Sequence, residues 1–314
     1  MLIFGDGADC CGVFGSSSHL LLAVLLAAGA SPWVGGASDY NADHEGAAYW
    51  AAKLGRHMHF ARLAKRPGRP FDSWPVRYVS AALDGGDPLI FEQMLAEPHA
   101  KIRLELLARP LPSAALLTTA LRHQPELAQT LLFKALDYPG DRPDLVRLAL
   151  THGANPDAID NYETPLARAA KGIEPQSVEI VDMLLKAGAD PNLPSHRTRP
   201  VWESVRMLKL DGDEGEVDAR ARAIFHRLAG AGADLKLPNW QGLPPIWFLM
   251  FPYHSDRTKL DASFLTPQLL EMLVQNGMDV NAELRGKRVL GPVEEQAGRD
   301  SELARTLRSL GAKP

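Results

Sequence analysis

Apolar residues recur every three to four positions along most of the chain, in short segments separated by proline, glycine and aspartate. This spacing is typical of amphipathic α-helices with one apolar face, and the residues between the segments favour turns. Between residues 75 and 152 there are six such segments, at 76–83, 89–95, 102–107, 114–121, 127–136 and 145–150. They predict six short helices, which would form three helical hairpins.

One apolar segment that ends in glycine recurs through the chain. Its clearest copies are residues 148–157 (LALTHGANPD) and 184–192 (LLKAGADPN). Weaker copies occur at 25–32, 228–235, 273–281 and 307–312. Because glycine readily adopts the left-handed conformation that terminates helices, each copy predicts the end of a helix at the same point of a repeating unit.

A second recurring element places a proline before a branched aliphatic residue. Its copies are Thr164-Pro165-Leu166, Arg199-Pro200-Val201, Pro244-Pro245-Ile246 and Gly291-Pro292-Val293. Proline is favoured in the first turn of a helix, because a backbone N–H at that position has no acceptor within the helix. The interval from each terminal glycine to the next such proline is nearly constant (188 to 200, 232 to 245, 277 to 292), whereas the interval from proline to the next glycine varies widely. We therefore expect length variation between the two helices of a repeat, not between repeats.

These two elements together resemble the ankyrin repeat family, whose unit of about 33 residues is a β-turn finger followed by two antiparallel helices. The best copy is residues 164–170 (TPLARAA), similar to the family signature T-P-L-H-x-A, followed by residues 180–190 (IVDMLLKAGAD). Residues 44–68 look like a diverged copy. The signature histidine is replaced by Ala167, Trp202, Trp247 and Tyr49, and the first finger glycine is retained only as Gly242 and Gly286.

The resemblance implies an all-α, ankyrin-like solenoid of about nine helix-turn-helix repeats with short β-turn fingers. We expect one array over residues 1–314, with degenerate repeats at 1–152 and clearer repeats at 153–314. Nine units of about 33 residues account for a chain of this length. Since no repeat can bury its apolar face alone, the core would form by stacking of neighbouring repeats.

Two neighbouring repeats carry insertions, at residues 208–218 and 253–267. The first is acidic, and the second contains basic and aromatic residues, including Tyr253 and Arg257. Loops longer than about 12 residues are often functional, although added loop length also costs little and is tolerated at surfaces. The acidic insertion lacks the ligand order of an EF-hand, so we expect a solvated loop there and no metal site.

The resemblance places the candidate partner-binding residues on the fingers. They are Asp160, Asn161, Glu163, Ser195, His196, Trp240, Gln241 and Leu243, to which the second insertion adds Tyr253 and Arg257. Trp240 is the most informative, because exposed tryptophans are frequent energetic anchors of protein interfaces. Trp202 and Trp247 stand at the signature histidine position, and we expect them to pack in the core.

Charge and cysteine content exclude several other classes. The chain has 34 Lys and Arg against 38 Asp and Glu, so its net charge of −4 gives no general attraction for nucleic acid. Residues 53–77 are locally basic but match no nucleic-acid-binding module, and we interpret them as a solvated helix surface with an acidic protein as the alternative partner. Cys10 and Cys11, the two cysteines, cannot form a disulfide framework or a zinc cluster.

The sequence contains no motif that would support catalysis. We find no G-x-S-x-G, no P-loop and no H-E-x-x-H, so we expect neither enzymatic activity nor a cofactor. The apolar run at 20–28 is too short to span a membrane. Asp6 and Asp9 precede it without any Lys or Arg, so we interpret it as a buried helix of a cytoplasmic protein, with a signal peptide as the alternative.

The sequence thus predicts a non-catalytic protein–protein interaction scaffold. We expect a monomer without membrane association that binds one partner protein through its concave face, its fingers or its inserted loops. An inhibitor or toxin-neutralising (immunity) protein is one such role. The alternatives are an exported effector that binds a host protein in another cell, and an enzyme built on a degenerate repeat scaffold.

Overall fold

A computed structural model describes residues 33, 46–65, 76–96, 113–137, 142–172, 174–194, 199–208, 216–239, 241–251, 259–261 and 265–314. Within these ranges fifteen helices alternate with turns, and β pairing is limited to two isolated bridges. The protein is an all-α, ankyrin-like solenoid, as the sequence predicts. No helix in the described ranges is long and apolar enough to cross a membrane.

The chain divides into two compact units, of which the first comprises Met1–Leu131 and Thr151–Gly153. Its described helices are α1 (Ala47–Lys53), α2 (His57–Ala64), α3 (Val76–Gly85), α4 (Pro88–Leu95) and α5 (Ala114–His123), and α6 (Leu127–Leu136) begins in this unit. Helix α1 packs against α2 and α3, and α4 packs against α3 and α5. These helices confirm the predicted segments at 76–83, 89–95, 114–121 and 127–136. The predicted helices at 20–28 and 102–107 lie outside the described residues.

The second unit comprises Leu132–Leu150 and Ala154–Pro314. Its helices are α7 (Pro143–Thr151), α8 (Pro165–Ala170), α9 (Ser177–Lys186), α10 (Pro200–Met207), α11 (Glu216–Gly230), α12 (Pro245–Met250), α13 (Pro267–Gln275), α14 (Leu290–Ala297) and α15 (Glu302–Ser309). They form successive pairs. Within two such pairs, the first helices α8 and α10 pack side by side, and so do the second helices α9 and α11.

Glycine follows the second helix of each pair in the second unit, as predicted. After α9, Gly188 has φ of 92°, and its N–H donates to Leu185 O at 3.0 Å while the Ala189 N–H donates to Leu184 O at 3.0 Å. This is the Schellman arrangement, which requires a left-handed residue after the helix. Gly232 and Gly277 have the same conformation after α11 and α13, with φ of 91° and 104°.

Proline begins the first helix of three pairs in this unit, at Pro165, Pro200 and Pro245. The fourth differs from the prediction. Helix α14 begins at Leu290, after Val289, and Pro292 is its third residue. Helix α14 therefore begins two residues before Pro292, the residue that the sequence pattern indicated. Val289 stands where the other pairs have proline. The interval from 277 to 289 equals that from 188 to 200 and nearly equals that from 232 to 245, so the segment from glycine to the next helix is even more constant than predicted.

The first insertion is shorter than predicted. Helix α11 begins at Glu216, so residues 216–218 are helical, and residues 209–215 lie outside the described part of the chain. Acidic residues stabilise the first turn of a helix because their negative charge lies at the positive end of the helix dipole. In the second insertion, residues 252–258 and 262–264 lie outside the described ranges, and α13 begins at Pro267.

At one repeated position, an asparagine side chain ties a finger to the next repeat in two places. The Asn192 amide accepts from the Asp234 N–H at 2.7 Å and donates to Gly232 O at 2.9 Å. Asn281 makes the equivalent pair of bonds to the Lys313 N–H, at 2.8 Å, and to Gly311 O, at 3.0 Å. These bonds use backbone groups just after a helix end, which would otherwise depend on water.

Two other residues occupy this repeated position. Asp157 makes only the accepting half of the arrangement, taking the Asp190 N–H at 2.8 Å, because a carboxylate has no N–H to donate. Between Asn192 and Asn281 the position is held by Lys236, which is exposed. An ammonium group cannot accept a hydrogen bond, and no bond joins Lys236 to the described turn at Gly277–Asp279.

Candidate protein-binding surface

The finger at residues 157–164, in the second unit, ends in a tight hairpin turn. The Asp160 N–H donates to Glu163 O at 3.0 Å, and the Glu163 N–H donates to Asp160 O at 2.9 Å. Between them Asn161 and Tyr162 have φ of 48° and 65°. Two left-handed residues in the centre of a two-residue hairpin are the mark of a type I′ turn, which usually uses Asn-Gly.

Tyr162 stands where such a turn favours glycine. The other bridge finger has the same turn at Leu284–Lys287, with Arg285 at φ of 52° and Gly286 at φ of 73°. A bulky residue with positive φ is a conformational outlier. Tyr162 is 71% exposed, and nearby Ile159 is 61% exposed. The finger therefore presents two large apolar side chains to solvent.

Arg168 of α8 holds this finger in place. Its Nη2 donates to the backbone oxygen of Asp160 at 3.0 Å and to Asp160 Oδ2 at 2.7 Å, and its Nη1 donates to Asp137 Oδ1 at 2.9 Å. The guanidinium lies over the Phe133 ring, 4.7 Å from its centre. Its side chain is only 10% exposed. Charge-assisted bonds and a cation–π contact to one largely buried group make the finger rigid.

Charged side chains continue from the finger into helix α8, which follows it. Glu163 forms an ion pair with Lys171, at the end of α8, and its Oε2 lies 3.5 Å from Arg168 Nε. The carboxylates of Asp137 and Asp160 remain close to half exposed despite their bonds to Arg168. The outer surface of this cluster is therefore mainly carboxylate oxygen, with the arginine beneath it.

Glu203 of α10 is a buried carboxyl group in the same unit. It is 5% exposed, and its Oε2 accepts from Arg206 Nη1 at 2.8 Å. Burial raises the pKa of Glu203 above its usual range, and the charge of Arg206 only partly opposes this effect. Loss of hydration disfavours the ionised form when the partner is itself mostly exposed.

The finger at residues 239–243 has a different turn. Asn239 Oδ1 accepts from the Gln241 N–H at 2.9 Å and from the Leu243 N–H at 3.0 Å. Gln241 is exposed, whereas Leu243 is 8% exposed and belongs to the core. We therefore leave Leu243 out of the proposed contact surface.

The structure brings together three of the candidate residues, Asp160, Asn161 and Glu163, on one finger. Five others, Ser195, His196, Trp240, Tyr253 and Arg257, lie outside the described residues. Sequence reasoning missed Tyr162 and Arg168. The missing finger glycine at position 162 was the available signal for Tyr162, but no local pattern marks Arg168, because Asp137 lies far from it in the sequence.

Trp202 and Trp247 are buried, which confirms their expected place in the core. The Trp247 Nε1–H donates to Ala282 O at 2.9 Å and so links two consecutive repeats. The Trp202 ring meets the edge of Phe248 with their centres 5.3 Å apart. Both aromatic side chains are therefore used in stacking the repeats. Across the described ranges no group of His, Cys, Asp and Glu side chains is arranged to hold a metal ion.

The family model of the ankyrin repeat matches residues 161–196, which cover the end of the finger and helices α8 and α9. The chain carries ankyrin repeats. Over 139 residues, 43% of this chain, the sequence is 32% identical to the human protein named "Ankyrin repeat and MYND domain-containing protein 1". The match covers 14% of that protein, so this chain corresponds to a small part of the relative's length. Ankyrin repeats indicate a protein–protein interaction scaffold.

Proposed function

We propose that this chain is a non-catalytic scaffold that binds one partner protein through the finger at 157–164 and the adjoining charged residues of α8. The observation that carries the proposal is the rigid finger, which exposes Ile159 and Tyr162 while Arg168 fixes its backbone. Exposed apolar groups on a preorganised element favour binding, because little conformational freedom is lost in the complex.

As part of this proposal, the protein acts as a cytoplasmic monomer that occupies its partner's surface, in the manner of an inhibitor or a toxin-neutralising protein. Two adjacent cysteines and the lack of a disulfide framework in the sequence support a reducing compartment. Delivery into another cell as an effector is the competing proposal. Fractionation of the native cells distinguishes these two locations.

The test is affinity capture from native cell extract with the intact protein, followed by measurement of the molar mass of the purified complex. We expect one partner in a 1:1 complex, with capture reduced by Asp160→Asn. The matched control is Glu179→Gln, which removes one exposed carboxylate from the second helix α9 of the same unit. Capture of no stoichiometric partner, or equal loss with both variants, would contradict the proposal.

A further inference from the structure

We propose that the tip of the finger at 157–164 anchors a basic segment of the partner protein, in which an Arg or Lys lies beside an apolar side chain. This inference rests on the proposed function and specifies the chemistry of its partner. Four properties of the tip carry it: its apolar exposure, its backbone strain, its rigidity and its charge.

The apolar exposure is concentrated on this finger. Within the described part of the second unit, two large hydrophobic residues are exposed, Ile159 and Tyr162, and both belong to this finger. They are close in the sequence, on either side of the bridge residue Asp160. Tyrosine is among the residue types that most often anchor protein interfaces.

The backbone conformation of Tyr162 is disfavoured for its residue type. Its φ of 65° suits glycine, and Gly286 fills the corresponding position of the finger at Leu284–Lys287. A left-handed tyrosine with an exposed ring is disfavoured locally, and strained residues of this kind cluster at functional sites. We infer that the ring is present for recognition.

The tip is also rigid. The two backbone bonds between Asp160 and Glu163 fix the turn, and Arg168 fixes the backbone oxygen of Asp160. At the base of the finger, Asp157 accepts the Asp190 N–H of the next repeat. Because the backbone that carries the ring is already fixed, binding at the tip orders side chains but not the backbone of the turn.

The charge around the tip selects a basic partner. Two carboxylates, those of Asp160 and Glu163, lie on the finger, Asp157 lies at its base, and Arg168 joins the carboxylate of Asp137 to it. Arg168 is almost covered, whereas Asp160 is 44% exposed on its side chain. Asp160 Oδ1 accepts no hydrogen bond from the described residues. A partner guanidinium or ammonium would bind this carboxylate and lie over the exposed Tyr162 ring, and the apolar residue beside it would cover Ile159.

The first experiment uses a display library of short random peptides selected on the intact protein. We expect the enriched peptides to carry Arg or Lys close in sequence to a large apolar side chain. A synthetic peptide from this set should bind at least ten-fold more weakly to Tyr162→Gly and to Asp160→Asn. Its affinity for the Glu179→Gln control should be unchanged. Enrichment of acidic or uncharged peptides, or equal affinity for Tyr162→Gly, would overturn the inference.

Thermal unfolding separates recognition from folding. We expect Tyr162→Gly to melt at the same temperature as the parent or higher, because glycine relieves the positive φ. A lower melting temperature would show that the ring supports the fold and would overturn the inference. Sedimentation of the intact protein tests the alternative occupant, since self-association that Tyr162→Gly abolishes would show that the tip binds a second copy of this chain.

The captured partner distinguishes the two levels of the proposal. Loss of that partner with Tyr162→Gly supports the tip as the anchor. Retention of the partner by Tyr162→Gly overturns the tip and leaves the scaffold intact. If no partner is captured by the parent protein while basic peptides still bind at the tip, the scaffold proposal fails and the chemistry of the tip stands.

Discussion

Substituting Lys236 with asparagine should stabilise the second unit. Asn192 and Asn281 each tie a finger to the next repeat with two hydrogen bonds, and Lys236 occupies the same position between them. The backbone is already in the right conformation. The Lys236 N–H donates to Asp234 Oδ1 at 2.9 Å, as the Asn192 and Asn281 N–H groups donate to Asp190 and Asp279 at 2.8 Å.

The expected gain follows from these two bonds. An asparagine amide at 236 would accept the Asp279 N–H and donate to Gly277 O, by analogy with Asn192. A hydrogen bond contributes about 0.5–1.5 kcal/mol net. Since this position is exposed, we take the lower part of that range and expect about 1 kcal/mol for the pair. For a unit of this size, about 1 kcal/mol corresponds to roughly 2–4 °C in melting temperature.

The assay is urea unfolding followed by circular dichroism on the full chain. Lys236→Ala is the control, because it removes the lysine without supplying an amide, and Lys236→Asp should give about half the gain since Asp157 makes one bond of this kind. Asn192→Ala should lose about 1 kcal/mol. Equal unfolding midpoints for Lys236→Asn and Lys236→Ala would refute the reasoning.

Three further predictions concern buried or capping groups. Burial raises the pKa of Glu203, so ionisation of this group should lower the stability of the folded state as the pH rises above about 4.3. Glu203→Gln should therefore be more stable than the parent at pH 7 but not at pH 4, as measured by paired urea titrations. Arg168→Met should lose about 2 kcal/mol of stability in urea unfolding, because it removes charged hydrogen bonds. Amide hydrogen exchange at Asp160 and Glu163 should become faster, and unchanged exchange would contradict the role of Arg168 in holding the finger. Thr164→Ala should lose about 1 kcal/mol, because the Thr164 hydroxyl caps α8 by accepting the Ala167 N–H; an unshifted melting temperature would count against it.

Helix ends were predictable from sequence because local chemistry determines them. Glycine at 188, 232 and 277 adopts positive φ after each second helix, and proline starts α8, α10 and α12. These residues act within one turn of their own position, so a pattern of residue types suffices to locate them.

The start of α14 was not predictable in the same way. Pro292 is its third residue, and proline is tolerated there because the first N–H groups of a helix have no intrahelical acceptor. The sequence pattern therefore allowed more than one register. The bridge between Leu284 and Lys287 aligns Val289 with Pro165, and α14 begins one residue later, at Leu290.

The candidate site was predicted only in part. Asp160, Asn161 and Glu163 follow from the position of the finger in the repeat, but the hub at Arg168 depends on Phe133 and Asp137, which lie in another repeat. Such contacts arise from stacking. They connect positions about one repeat length apart, and the type of residue at 168 gives no indication of them.

The constant segment between repeats also has an evolutionary consequence. After Gly188, Gly232 and Gly277 the next helix begins at Pro200, Pro245 and Leu290, at nearly the same interval each time, while the chain between the paired helices varies in length. Insertions and deletions can therefore accumulate between the helices of a pair without lengthening or shortening a finger. Changes in length therefore fall on a different part of each repeat from the finger, so the fingers can keep their spacing while the chain around them changes size.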